Sequence, residues 1–128
     1  MNKERNELGL KCAILISNFH EWQDRYLYVE IMKNFLNDKI NFEEFDTKFL
    51  ALWSSNCDKE KSWEEFIYII NNFKLSEFQG FSSLTSKLFT DIDVCEPDPL
   101  FRDHYEIDEN ELKICVKKTL LEIKINYC

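Results

Sequence analysis

Glycine and proline are nearly missing from this sequence, with two of each in 128 residues. Sandwiches and barrels need both at many tight turns, so their scarcity argues against short strands and for long elements with few turns, which means helices. Histidine is equally scarce: only His20 and His104 occur, neither beside a Ser or Cys that it would activate, and no glycine-rich phosphate loop is present. Catalysis needs a poised group with an orienting partner, so a binding protein is expected rather than an enzyme. The five cysteines, at 12, 57, 95, 115 and 128, form no C-x-x-C pair and are odd in number. That pattern excludes zinc spacing and a disulfide framework, and fits free thiols in a reducing compartment. The longest apolar run, Cys12–Ile16, is too short for a secretory leader or a membrane span. The expectation is a cytoplasmic protein with no membrane contact, no cofactor and no metal.

What the chain does contain is apolar and aromatic. Apolar residues make up 45% and aromatics 15%, too much for a disordered chain, and the length suits one core. Helix starts are marked by capping boxes, in which a cap side chain accepts from an orphan N–H and an acid three residues on reaches back. Asn41 with Glu44 is one, and Asp108 with Glu111 is another. Each is stapled by a flanking apolar pair, Ile40 with Phe45 and Ile107 with Leu112. Ser62 with Glu65 offers a third box without a staple.

Stripes at helical spacing follow. They run Tyr28, Ile31, Met32, Phe35, stopping at Asn37-Asp38; Phe42, Phe45, Phe49, Leu52, Trp53; and Phe66, Ile69, Ile70, Phe73. A fourth, starting at Ser82 or Ser83, runs Leu84, Leu88, Ile92, Cys95 up to the Glu96-Pro97-Asp98-Pro99 turn. A fifth runs Leu112, Cys115, Val116, Thr119, Leu120, Ile123. Short connections make neighbours antiparallel. The fold class is therefore all-α, with residues 26–128 as the helical domain and 1–25 as an N-terminal extension packed on or next to it. Residues 8–19 read equally as a helix or a short strand, and 74–82 as a connector.

The net charge of −8 is localised. Residues 91–111 hold nine acids and one base, Arg102, while the remaining 107 residues hold 15 of each sign. Such a surface repels phosphates, so direct nucleic-acid binding is excluded and a basic partner is expected. A calcium loop counted from Asp91 fails, because its sixth position is Glu96 instead of glycine and its twelfth is Arg102 instead of glutamate. Charge runs are commonly just solvated helix ends, and Asp108 to Glu111 are accounted for by capping. The remaining acids straddle the Glu96-Pro97-Asp98-Pro99 turn, where two prolines restrict the backbone, and flank Phe101 and Tyr105, aromatics of the kind that anchor interfaces. The candidate binding surface is Asp91, Asp93, Glu96, Asp98, Phe101, Asp103, Tyr105 and Glu106. An acidic adaptor or regulator of a basic host protein would use the same surface.

Two stretches resemble the colicin D-type immunity proteins, within the self-protective colicin-like immunity family. One is Met32–Phe45, a helix, a Lys39-Ile40 turn and an acid-capped second helix. The other combines Leu88-Phe89, Cys95-Glu96-Pro97-Asp98, Tyr105-Glu106-Ile107-Asp108-Glu109-Asn110 and Leu112-Lys113. The likeness spans roughly residues 26–125. It implies an antiparallel four-helix bundle, monomeric when free, that forms a 1:1 complex with the basic nuclease domain of a cognate toxin that cleaves tRNA anticodon loops. Its carboxylates would stand where RNA phosphates do, with Asp93, Glu96 and Asp98 in front and Asp91, Asp103 and Glu106 behind. A role in contact-dependent growth inhibition is equally compatible. The sequence departs from the family pattern in the N-terminal extension, in a longer 71–82 connector, in Cys95 where an aromatic is common, and in one extra residue before Tyr105.

Overall fold

A computed structural model describes residues 2–128, with side chains from residue 9 onward. The described chain is all-α: α1 (Asn2–Gln23), α2 (Arg25–Leu36), α3 (Phe42–Asp58), α4 (Trp63–Asn72), a 3-10 turn at Leu75–Glu77, α5 (Gln79–Asp93) and α6 (Glu109–Asn126). The expected capping boxes set two of the starts. Asn41 accepts from the Glu44 amide at 2.8 Å, and Glu44 accepts from the Asn41 amide at 3.3 Å. Asp108 and Glu111 repeat this at 2.7 and 3.3 Å. A cap of this kind stabilises its helix by about 1 kcal/mol. The third box is only half made. Ser62 accepts from the Glu65 amide at 3.1 Å, but the Glu65 carboxylate turns away from it to pair with His20 of α1.

The main core is a four-helix arrangement of α2, α3, α5 and α6. Tyr28, Met32 and Phe35 meet Phe45 and Phe49 from α3, Phe81 and Leu88 from α5, and Leu112, Val116 and Ile123 from α6. Phe35 and Phe45 stack with centroids 4.2 Å apart and planes 6° from parallel. Each side chain of this size contributes up to about 3 kcal/mol when fully removed from water. One polar contact lies within: Asn56 Nδ2 donates to the Tyr28 hydroxyl at 2.9 Å. Burial pushes the Tyr28 phenol far above its ordinary range, so it stays protonated.

Residues 8–19, open between helix and strand on sequence, are helical. Cys12, Ile16 and Phe19 fall at i, i+4 and i+7 and are buried. Ile16 and Phe19 join Ile69 of α4 and Phe78 in a second apolar cluster, extended by Trp22 and Phe73. Polar ties hold α1 to α5 as well. Ser82 donates to Asn18 at 2.7 Å and Thr85 donates to Glu21 at 3.2 Å.

Two expected boundaries shift. The α5 helix starts at Gln79 with no side-chain cap, where Ser82 or Ser83 was expected. The 3-10 turn leads directly into it and the buried Phe78 anchors the join, while Ser82 is spent on Asn18. Within its first turn Gly80 faces the Tyr127 hydroxyl so closely that a Cβ there would collide. At the other end α5 stops at Asp93, and Cys95, expected as its last apolar position, has left the helix. The backbone of its neighbours, Val94 and Glu96, pairs with Ile107 instead of continuing the helix.

Candidate functional site: the acidic loop between α5 and α6

The segment joining α5 to α6 is closed at its base. Cys95 and Ile107 form an isolated parallel bridge: the Glu96 amide donates to the Ile107 carbonyl and the Ile107 amide to the Val94 carbonyl, each at 2.9 Å. Cys95 is thereby buried, and burial together with Glu109 and Asp108 pushes its thiol up to about 11. It is an inert packing residue.

Inside the loop the one base is consumed by backbone. Arg102 donates from Nε to the Glu96 carbonyl at 2.8 Å and from Nη2 to the Pro97 carbonyl at 2.9 Å. Its charge is thus fixed at the turn, and among the described residues it makes no ion pair with a loop carboxylate. The acids brace the same backbone. Asp98 accepts from the Leu100 amide at 2.9 Å, and Glu106 accepts from the Asp103 amide at 2.9 Å. These local bonds hold the turn in one shape without neutralising it. Uncompensated charge is felt at Tyr105, whose phenol is raised first by Asp103 and then by Glu106.

The loop projects apolar side chains between its acids. Leu100, Phe101 and Tyr105 are 87, 71 and 64% exposed. Together they put apolar surface in water between the carboxylates of a hydrogen-bonded turn. Phe101 and Tyr105 are the two aromatics that the sequence places beside the acids, and both stand exposed. Leu100, an apolar residue between Pro99 and Phe101, was not among the sequence candidates and is exposed beside them.

The structure does not bring all the candidate acids together. Asp93 is exposed at the end of α5, with Glu96 and Asp98 half-buried after it. Asp91 lies two residues earlier, a rotation of roughly 200° on a helix, and so faces the other side. There it pairs with Lys87 at 3.1 Å. The acid that does join Asp93 is Asp46 of α3. Both line one recess, and the Asp46 carboxyl is raised first by burial and then by Asp93. No pattern along the chain links positions 46 and 93; tertiary packing alone pairs them.

Of the two histidines, His20 is buried between helices against Glu65, and His104 lies exposed edge-on to Tyr105. Among the described residues no group of three or more His, Cys, Asp or Glu side chains is placed to hold a metal ion, and no helix is long and apolar enough to cross a membrane. The family model for bacterial self-protective colicin-like immunity matches residues 25–123. The chain belongs to that family. The matched stretch contains α2 to α5, the acidic loop and most of α6, and so includes the whole four-helix core. No curated protein and no solved structure matches the chain. Membership gives this colicin-like chain an immunity role.

Proposed function

We propose that the chain neutralises a cognate bacterial nuclease toxin, of the tRNA-cleaving colicin-like or contact-dependent growth inhibition type. It would bind the toxin's basic nuclease domain 1:1 and occupy its RNA-binding active site. Asp93, Glu96 and Asp98 take the places of RNA phosphates, with Asp103 and Glu106 behind them, and Leu100, Phe101 and Tyr105 supply apolar anchors. Asp91 adds to the field but not to the contact.

The observation that carries this reading is the state of Arg102. The loop's only base is held by carbonyls, so its carboxylates remain free to meet a basic cleft. The charge is pre-positioned and costs little further ordering on binding. Charge of this kind steers association toward rates of about 10⁸ M⁻¹s⁻¹ at low salt.

Co-purification from the native host tests the proposal. A basic nuclease domain recovered in 1:1 ratio, released by high salt and inactive on RNA until released, is the expected result. Recovery of a basic host protein with no nuclease activity would replace it with the adaptor reading.

A further inference from the structure

Asp46, Phe49, Leu50, Phe89, Ile92 and Asp93 line a recess of about 190 Å³ between α3 and α5, beside the base of the acidic loop. It is smaller than the roughly 300 Å³ at which small-molecule sites begin, and suits the end of one side chain. The floor is apolar: Phe49 and Ile92 are buried, and Phe89 stacks on Trp53 with centroids 4.6 Å apart. Stacking on Trp53 restrains the Phe89 ring, which is part of the lining.

Its two carboxylates come from different helices and share no counter-ion. The ion pairs of the described residues are His20–Glu65, Lys59–Asp24, Lys87–Asp91 and Lys113–Asp38. Neither Asp46 nor Asp93 is among them. Burial and, after it, Asp93 raise the Asp46 carboxyl, so the two charges repel across the recess that both line. Two like charges over an apolar floor form the complement of a planar cation: its edges meet carboxylates and its face meets aromatic carbon.

We propose that this recess receives one arginine side chain of the partner, its guanidinium held between Asp46 and Asp93 with its plane against Phe89 and its stem lying on Leu50. The proposal rests on the binding face assigned above and extends it from the loop onto α3. Arginine fits better than lysine because a fork can meet two carboxylates while its plane lies on a ring, whereas an ammonium is a hydrated point charge.

The test is an NMR titration of the labelled full-length protein with Nα-acetyl-arginine methylamide, beside the neutral citrulline and the lysine analogues. Saturable shifts centred on Asp46, Leu50, Phe89 and Asp93 are expected, with affinity on the order of millimolar for so small a probe. Asp46→Asn should weaken binding about tenfold, the loss of one charge-assisted contact, and Asp91→Asn should leave it unchanged. Shifts spread over all exposed carboxylates, or equal binding of the lysine analogue, would overturn the assignment. The probe needs no toxin. A failed titration beside loop variants that still lose protection therefore removes the recess and leaves the immunity reading standing.

Discussion

Ile107 is bridged to Cys95 through the backbone on either side of the cysteine, with the Glu96 amide on the Ile107 carbonyl and the Ile107 amide on the Val94 carbonyl. This clamp turns the chain between α5 and α6 from a connector into a closed loop. It sets Glu96 and Asp98 at the end of the bundle instead of letting them trail in solvent. Arg102 braces the closure from inside through the Glu96 and Pro97 carbonyls.

Removing the brace should therefore loosen the loop and leave the bundle alone. In Arg102→Ala, the two charge-assisted bonds to the Glu96 and Pro97 carbonyls are lost, a local cost of about 2–3 kcal/mol. Amide hydrogen exchange between Glu96 and Glu106 should accelerate while that of α2 and α3 is unchanged. Loop amides protected as in the wild type would show that the prolines and the clamp suffice without Arg102.

Reversing the charge should abolish protection without unfolding. Asp93→Lys combined with Glu96→Lys changes exposed or half-exposed side chains outside the apolar core. Circular dichroism should be unaltered, while association with the toxin slows about 100-fold at low salt, and less at high salt. Full protection by the double variant would refute the phosphate-mimic surface.

The apolar tip should act on a different rate constant. Leu100 and Phe101 are largely exposed, so Leu100→Ala and Phe101→Ala have little packing to lose within the free protein. If they anchor the complex, each raises the dissociation rate by a factor reflecting about 1–2 kcal/mol, with association nearly unchanged. Surface plasmon resonance separates the two. Unchanged dissociation in both variants would leave the acids alone as the contact.

Glu21 gives a prediction about pH. Its carboxyl lies buried between α1 and α5, and burial raises it while hydrogen bonds with Ser82 and Thr85 lower it less. The folded state therefore holds this proton more tightly than the unfolded chain. Its contribution is complete below the ordinary carboxyl value and is lost as pH rises through the folded value. Glu21→Gln abolishes that loss. Its Tm should exceed that of the wild type near neutral pH, and the two should converge as pH falls towards 4.5, the ordinary value. A constant offset at every pH would mean that the charge of Glu21 is not what costs stability.

Some of this architecture was written locally. The boxes at Asn41 and Asp108 involve residues three apart, and the stripes of α2, α3 and α6 repeat within one or two turns, so one stretch of chain suffices to specify them. The start of α5 was misplaced because Ser82 looks like a cap, and only its distant partner Asn18 shows that it is buried inside the helix. Cys95 continued the apolar spacing of α5 faithfully, and no local signal told that its neighbours' backbone groups would be claimed by Ile107. Residues 8–19 stayed ambiguous for the same reason: Ile16 and Phe19 make sense only against Ile69 and Phe78.

The candidate site divides in the same way. By itself the sequence determined that charge gathers between α5 and α6, that two prolines stiffen it and that aromatics interrupt it, because all of these are properties of consecutive residues. Tertiary structure decided which carboxylates face together. It turned Asp91 away to Lys87 and brought Asp46 to Asp93 from another helix. The reason is geometric: a helix rotates neighbouring side chains apart, and only packing between helices brings distant ones onto one face.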